Sequence, residues 1–116
     1  MTRFTRGEAE ALLPTVRPLM EDIRRRKASY DRRHSAPLAR ELEALVGEVA
    51  ALGVQVKDLD AGLIDFPSVR RGEEILLCWK VGEGDRISWW HDPESGYQGR
   101  RLIEDWTAHS RPSRCQ

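Results

Sequence analysis

The sequence predicts an α+β fold in which an N-terminal antiparallel helical hairpin packs with a small C-terminal antiparallel β-meander. Apolar residues recur with a period of about 3.6 residues as far as Leu52, which is typical of amphipathic helices. After Gly53, short apolar runs alternate with turns rich in Gly, Asp and Pro, which is typical of strands. The length of 116 residues fits one domain. We therefore expect a helical part at 6–52, a β-meander part at 54–106 and a loose tail at 107–116.

The first helical segment begins with a capping box formed by Thr5 and Glu8. Pro14 disfavours a helical conformation at the residue before it. We therefore expect the chain to break there, into a short helix over 6–13 and a second helix over 15–33.

Two apolar stripes predict how the longer helices pack. A third helix is expected from about Leu38 to Leu52, after a turn that contains Pro37. The stripe of the second helix consists of Val16, Leu19, Met20, Ile23 and Tyr30, and that of the third consists of Leu38, Leu42, Leu45, Val46, Val49 and Leu52. Because a short connection joins two long amphipathic helices, they are expected to form an antiparallel hairpin.

The strands are expected after a connector at residues 54–56. The first is expected to end at Pro67, because proline cannot donate a hydrogen bond to a neighbouring strand. The expected ranges are 63–66, 73–81, 86–91 and, for a last short strand, 97–103.

Composition indicates a soluble, heavily charged chain. Charged residues make up 33% of it, above the roughly 25% of an average globular protein. No stretch approaches the roughly 18 uninterrupted apolar residues of a membrane span, and no signal-peptide core follows the N-terminus. Cys78 lies in an apolar run and Cys115 lies beside the C-terminus, so neither suggests a disulfide framework. We expect a cytoplasmic protein without a membrane partner.

Charge is distributed unevenly along the chain. Residues 1–40 hold 10 Lys/Arg and 5 Asp/Glu, a balance of +5, whereas residues 41–116 hold 9 and 14, a balance of −5. The halves either neutralise each other or leave a basic end for nucleic acid. In the basic run at 24–27, successive side chains point about 100° apart on a helix, so they do not form one patch. The pattern does not favour a nucleic-acid partner.

The region from Leu52 to Arg101 resembles a known family. The segments that carry the resemblance are Lys57-Asp58-Leu59, Gly62-Leu63-Ile64-Asp65-Phe66, Leu77-Cys78-Trp79, Gly82-Glu83, Trp90-His91 and Gly96 with Gly99-Arg100. In this combination the chain is similar to an uncharacterised bacterial family known as domain of unknown function 2203. The resemblance implies a bacterial cytoplasmic protein with helices followed by strands, and it implies no particular activity.

Strand pairing predicts where Cys78 and His91 lie. If the chain turns at Gly82–Asp85, Cys78 lies opposite Trp89 and Leu76 lies opposite His91. Because side chains alternate along strands, Cys78 and His91 then share one face as diagonal neighbours.

Two further polar residues are expected to join them. Asp65 reaches the same face if its strand pairs in the matching register. Arg100 follows two glycines that allow a tight return of the chain beside His91. We therefore expect a polar pocket of Asp65, Cys78, His91 and Arg100 at one end of the sheet, walled by Trp89.

Cys, His and Asp together can ligate zinc or form a Cys-His nucleophile. The simpler interpretation is that Cys78 is a small buried hydrophobe and that His91 bonds to the following turn. Structural zinc takes four ligands and the pattern supplies three at most, so zinc is possible but is not favoured. The candidate metal ligands are Cys78 and His91, the candidate ligand-binding residues are Asp65, Trp89, His91 and Arg100, and no catalytic residue is assigned.

Four tryptophans fall in the β part, at positions 79, 89, 90 and 106. They favour either an interface or a compact core that needs large side chains. The leading interpretation is a non-enzymatic protein-interaction module that forms a homodimer and contacts an unidentified partner. The alternatives are a small-ligand or metal-binding protein with its site on the β-meander, and a nucleic-acid-associated protein that binds through the basic helix.

Overall fold

The computed structural model describes residues 2–103 and confirms the predicted α+β fold. Two helices precede a five-stranded sheet of order β1-β2-β3-β4-β5, in which each neighbouring pair is antiparallel. The elements are α1 Arg6–Arg33, α2 Ala36–Ala51, β1 Gln55–Asp58, β2 Leu63–Arg70, β3 Glu73–Lys80, β4 Trp89–His91, a 3-10 turn at Tyr97–Gly99 and β5 Arg101–Leu102. The tail expected at 107–116 and the last residues of the β part, 104–106, lie outside the described residues.

The expected break at Pro14 is wrong, because α1 continues through both Pro14 and Pro18. Its apolar stripe of Ala9, Leu13, Val16, Met20 and Ile23 runs across the prolines, and every member is buried. The packing of the whole stripe therefore outweighs the roughly 3 kcal/mol that a proline costs in a helix interior. Both prolines are exposed, so neither belongs to the buried stripe.

The helical hairpin is confirmed, with a connection of only two residues. His34 adopts a left-handed conformation with φ 50°, and its N–H donates to the Tyr30 carbonyl 2.6 Å away. Ser35 then caps α2 by accepting the N–H of Leu38 at 3.3 Å. Because this cap is in place and proline is tolerated in a first turn, α2 begins two residues before the predicted Leu38.

Two features of the first strands were not predicted. Residues 55–58 form the edge strand β1 instead of a connector, and β2 passes through Pro67 to Arg70 instead of ending there. The Pro67 carbonyl accepts the N–H of Phe4 at 2.8 Å, so the nitrogen of the same residue also faces away from β3. Proline is tolerated at that position because β3 requires no donor from it.

The predicted register between β3 and β4 is confirmed. Leu76 pairs with His91 and Cys78 pairs with Trp89. The returning strand is shorter than expected, since it begins at Trp89 instead of residue 86. The last predicted strand is likewise reduced to β5, preceded by the 3-10 turn.

The two faces of the sheet are covered by different parts of the chain. One face packs on the helices through a core that includes Ile64, Phe66, Leu77, Trp79 and Trp90. The opposite face carries Asp65, Cys78 and His91, which are also buried. Residues 92–100 pass over this second face, so polar groups are enclosed there.

Ion pairs between the chain halves link the helices to the sheet and its loops. Arg17 pairs with Asp85, Lys27 with Asp60 at 3.0 Å, and Arg3 with Glu74 at 2.7 Å. The basic N-terminal half is thus partly neutralised within the fold. No helix in the described part of the chain has both the length and the apolar character that crossing a membrane requires.

Candidate metal centre

Three polar side chains converge on the second face of the sheet. Asp65 pairs directly with Cys78 across β2 and β3, and His91 lies diagonal to Cys78 across β3 and β4. One ligand atom from each of the three lies within 4.8 Å of the others. The residues are almost inaccessible, with exposed fractions of 2% for Asp65, 0% for Cys78 and 3% for His91. Strand register alone therefore assembles a buried set of carboxylate, thiol and imidazole.

The imidazole of His91 is oriented by the residue that follows it. Nδ1 lies 2.7 Å from the Asp92 carbonyl oxygen, which can only accept a hydrogen bond, so Nδ1 carries a proton. Nε2 lies 3.1 Å from Oδ2 of Asp65. A carbonyl that holds one imidazole nitrogen and directs the other inward is the usual arrangement of a metal-binding histidine. Nε2 and the Asp65 carboxylate thus face each other at hydrogen-bond distance.

The Asp65 carboxylate is incompletely satisfied. Its Oδ1 is buried and has no hydrogen-bond partner among residues 2–103. A buried carboxylate oxygen without a partner is costly, so such an atom in a folded protein calls for an explanation such as an ion. A group bound within the cluster would give this oxygen a partner.

The thiol of Cys78 is protonated at neutral pH. Burial, reinforced by the negative charge of Asp65, raises its pKa to about 12, although the nearby Arg100 acts in the opposite direction. A nucleophilic cysteine needs a lowered pKa, and both nitrogens of His91 already face oxygen atoms. The geometry therefore does not provide the activated Cys-His pair that the sequence left open. A bound metal would instead deprotonate the thiol directly.

Arg100, one of the candidate ligand-binding residues of the sequence, lies beside the cluster, but its guanidinium is already paired. Its guanidinium is held between two aromatic rings, 4.5 Å from the centroid of Trp89 and 4.7 Å from that of Tyr97. Glu83 accepts two hydrogen bonds from it, at 2.8 and 3.1 Å. Burial opposes the charge of Arg100, but hydrogen bonding to Glu83 and the charges around it outweigh burial and raise the pKa.

A pocket opens beside the cluster. It has a volume of about 310 Å³ and reaches both Asp65 and His91. Its other lining residues are Lys57, Asp58, Leu63, Leu76, Pro93, Gly96 and Tyr97. A larger cleft of about 700 Å³ adjoins it and shares Lys57, Leu76 and Pro93 with it. The cluster is thus buried but adjoins a route to solvent.

The structure brings Asp65, Cys78 and His91 together. Trp89 contacts the guanidinium of the neighbouring Arg100, but neither of these two residues lines the pocket. The sequence patterns predict a turn at Glu83 and do not identify Glu83, Lys57 or Tyr97 as site residues. The motif Gly82-Glu83 in the family resemblance was the available signal for Glu83. The segment Lys57-Asp58-Leu59 in the same resemblance was the signal for Lys57. No local pattern indicated Tyr97, because the path of residues 92–100 places it.

Comparison with known proteins supports the resemblance drawn from the sequence. Residues 28–103, which include the whole cluster, match the family model described as "Uncharacterized conserved protein (DUF2203)". Comparison with curated proteins and with solved structures found no match. The family match spans more than half of the chain and all the strands described above. The chain therefore belongs to the DUF2203 family.

Proposed function

We propose that this protein binds one zinc ion through Asp65, Cys78 and His91. The observation that carries the proposal is the convergence of their ligand atoms within 4.8 Å, with all three residues buried. The unpartnered Oδ1 of Asp65 and the inward direction of His91 Nε2 support it. A metal would give the unpartnered Oδ1 a bond, and bonds to the ion would replace the hydrogen bond between His91 and Asp65.

The set of donors favours zinc among the common metals. A thiolate with an imidazole is a soft to intermediate pair, which suits zinc better than magnesium or calcium. The ionised forms of Asp65 and Cys78 neutralise the two positive charges of the ion. Arg100 does not upset this balance, because Glu83 neutralises it. Three protein ligands with a neighbouring pocket are typical of zinc sites that keep a position open.

Metal uptake by purified protein tests the proposal. Cobalt(II) is a suitable probe, because it occupies zinc sites and a thiolate ligand gives it a charge-transfer band in the near ultraviolet. We expect one cobalt ion per chain, such a band, and displacement of cobalt by one equivalent of zinc. Elemental analysis of protein purified without chelators is expected to show zinc.

Matched variants test whether the cobalt bound by the protein is held by the three proposed ligands. Cys78→Ser is expected to abolish the charge-transfer band, and Asp65→Asn to weaken metal binding by more than about 10- to 100-fold, the loss typical of residues that only support a ligand. Two controls are expected to bind normally: Cys115→Ser, which removes the other cysteine, and His34→Asn, at an exposed position where asparagine tolerates the left-handed backbone. Folded protein that takes up no cobalt, or a band that survives Cys78→Ser, would contradict the proposal.

A further inference from the structure

The pocket beside Asp65 and His91 indicates where an additional ligand of the metal would enter. Three protein donors leave at least one coordination position of a zinc ion unfilled. Asp65 and His91 line the pocket but Cys78 does not, so the opening lies on the carboxylate and imidazole side of the cluster. A molecule in the pocket would therefore reach the metal without disturbing the thiolate.

The charges around the pocket favour an anion. The metal with Asp65 and Cys78 is neutral, and Arg100 is neutralised by Glu83. Besides Asp65, the lining holds two charged residues, Lys57 and Asp58, and their charges balance. Lys80 lies outside the lining, but its ammonium group contacts Tyr97, which does line the pocket.

The Lys80 charge is held close to the pocket. Its ammonium group donates to the Tyr97 hydroxyl at 3.0 Å, and this hydrogen bond is the main reason that the pKa of Tyr97 is lowered. The side chain of Asp58 is occupied by the turn that follows β1, because its Oδ1 accepts the N–H groups of Asp60 and Ala61 at 2.8 and 3.1 Å. The Asp58 carboxylate is therefore engaged within the chain, whereas the ammonium groups of Lys57 and Lys80 lie at or beside the pocket, where a bound monoanion would meet them.

The remaining wall is apolar and the space is small. Leu63, Leu76 and Pro93 line the pocket beside the charged groups. Its volume of about 310 Å³ is at the lower end of the roughly 300–1,000 Å³ typical of ligand sites. An inorganic dianion would leave the apolar wall unused, whereas a monoanion with a short hydrocarbon body would contact it.

We infer that the pocket binds a short-chain monocarboxylate, whose carboxylate group completes the coordination of the metal. The inference rests on the zinc proposal above. The carboxylate would lie between the metal and Lys57, and the hydrocarbon chain would contact Leu63, Leu76 and Pro93.

Titration of cobalt-loaded protein with acetate, butyrate and inorganic phosphate at constant ionic strength tests the inference. The visible d–d bands of cobalt report a change in its coordination. We expect butyrate to bind roughly tenfold more tightly than acetate, because its two additional methylene groups are buried. Phosphate is expected to bind more weakly than either. Phosphate that binds as tightly as butyrate, or acetate that binds as tightly as butyrate, would overturn the assignment.

Two variants test whether Lys57 contributes to carboxylate binding. Lys57→Gln is expected to weaken butyrate binding several-fold without reducing the cobalt content, whereas Arg25→Gln, at an exposed position on the hairpin, is expected to change nothing. If cobalt binds stoichiometrically but no carboxylate alters its spectrum, this inference is wrong and the zinc proposal stands. If cobalt does not bind, the zinc proposal is wrong as well.

Discussion

At the scale of single residues, three buried polar groups stand out against an otherwise apolar sheet. Asp65, Cys78 and His91 occupy positions that hydrophobic residues of similar size would fill at lower cost. His91 is satisfied through the Asp92 carbonyl and the Asp65 carboxylate, but Asp65 is satisfied at only one of its oxygens within residues 2–103. The proposed zinc ion would offset this cost, because it would bond to all three side chains.

The raised pKa of Cys78 predicts how the stability of the metal-free protein depends on pH. In the folded state burial raises the thiol pKa from 9.0 to about 12, whereas in the unfolded state the thiol ionises near its ordinary value. Between these values the folded state binds one more proton, so the free energy of unfolding falls as pH rises, by about 1.4 kcal/mol per pH unit. Below pH 9 this contribution is constant, because both states are protonated.

Denaturant unfolding at several pH values measures this dependence. We expect the metal-free protein to lose more stability between pH 9 and pH 11 than Cys78→Ala does. Cys115→Ala is the matched control, because it retains the Cys78 thiol, and it should behave like the parent protein. Zinc-loaded protein is expected to lack the difference, because the coordinated thiol is already ionised. Parallel pH profiles of metal-free parent and Cys78→Ala would show that the thiol pKa is not raised.

At the scale of secondary-structure elements, α1 shows tertiary packing overriding a local signal. The helix holds two prolines in its interior, each without a backbone N–H to donate. Its buried stripe, from Ala9 to Ile23, lies on the other side of the helix, and the exposed prolines leave that packing intact. The helix is continuous because the gain from the stripe exceeds the local loss at the prolines.

Substitution of Pro14 measures the local cost. Pro14→Ala is expected to stabilise the protein, because it restores the hydrogen bond to the Glu10 carbonyl and removes a steric conflict. The gain is expected to be about 1–2 kcal/mol, since the roughly 3 kcal/mol helix preference is offset by greater freedom of the unfolded chain. Pro37→Ala is the control: Pro37 lies in the first turn of α2, where no hydrogen bond is lost, so little change is expected. Thermal unfolding that shows no gain for Pro14→Ala over Pro37→Ala would refute this account.

At the scale of the whole molecule, the chain is elongated, with extents of 59 × 25 × 25 Å. The long hairpin and the sheet are joined by a shared core and by ion pairs such as Arg17–Asp85 and Lys27–Asp60. These ion pairs are largely exposed, so each contributes little to stability, about 0–1 kcal/mol. The core holds the two parts together, and the ion pairs reduce the charge imbalance between the chain halves.

Apolar side chains that remain partly exposed on the helical hairpin predict a homodimer. The apolar side chains that flank the core on the two helices, including Leu12, Leu19, Leu45 and Val46, are only partly buried in one chain. A second copy related by two-fold symmetry would cover them, and this is the commonest arrangement of soluble oligomers. Multi-angle light scattering at tens of micromolar is expected to give twice the 13.3 kDa mass of the chain. A monomeric mass at that concentration would refute the prediction.

The sequence by itself determined the order and type of the main elements and the register of β3 with β4. Apolar periodicity indicated the hairpin, and the turn at Gly82–Asp85 placed Cys78 opposite Trp89. These features depend on residues close together in the chain, so short-range patterns report them. The same register predicted that His91 and Cys78 share a face, which the structure confirms.

Only the tertiary structure decided the features that depend on distant contacts. Pro67 is tolerated in β2 because its nitrogen faces away from β3, and α1 is continuous because its buried stripe outweighs the prolines. The guanidinium of Arg100 is paired because the loop between β3 and β4 brings the Glu83 carboxylate to it. The unsatisfied oxygen of Asp65 also depends on every group packed around it. Periodicity cannot report such contacts, because burial and hydrogen bonding at one residue depend on partners that the fold brings from elsewhere in the chain.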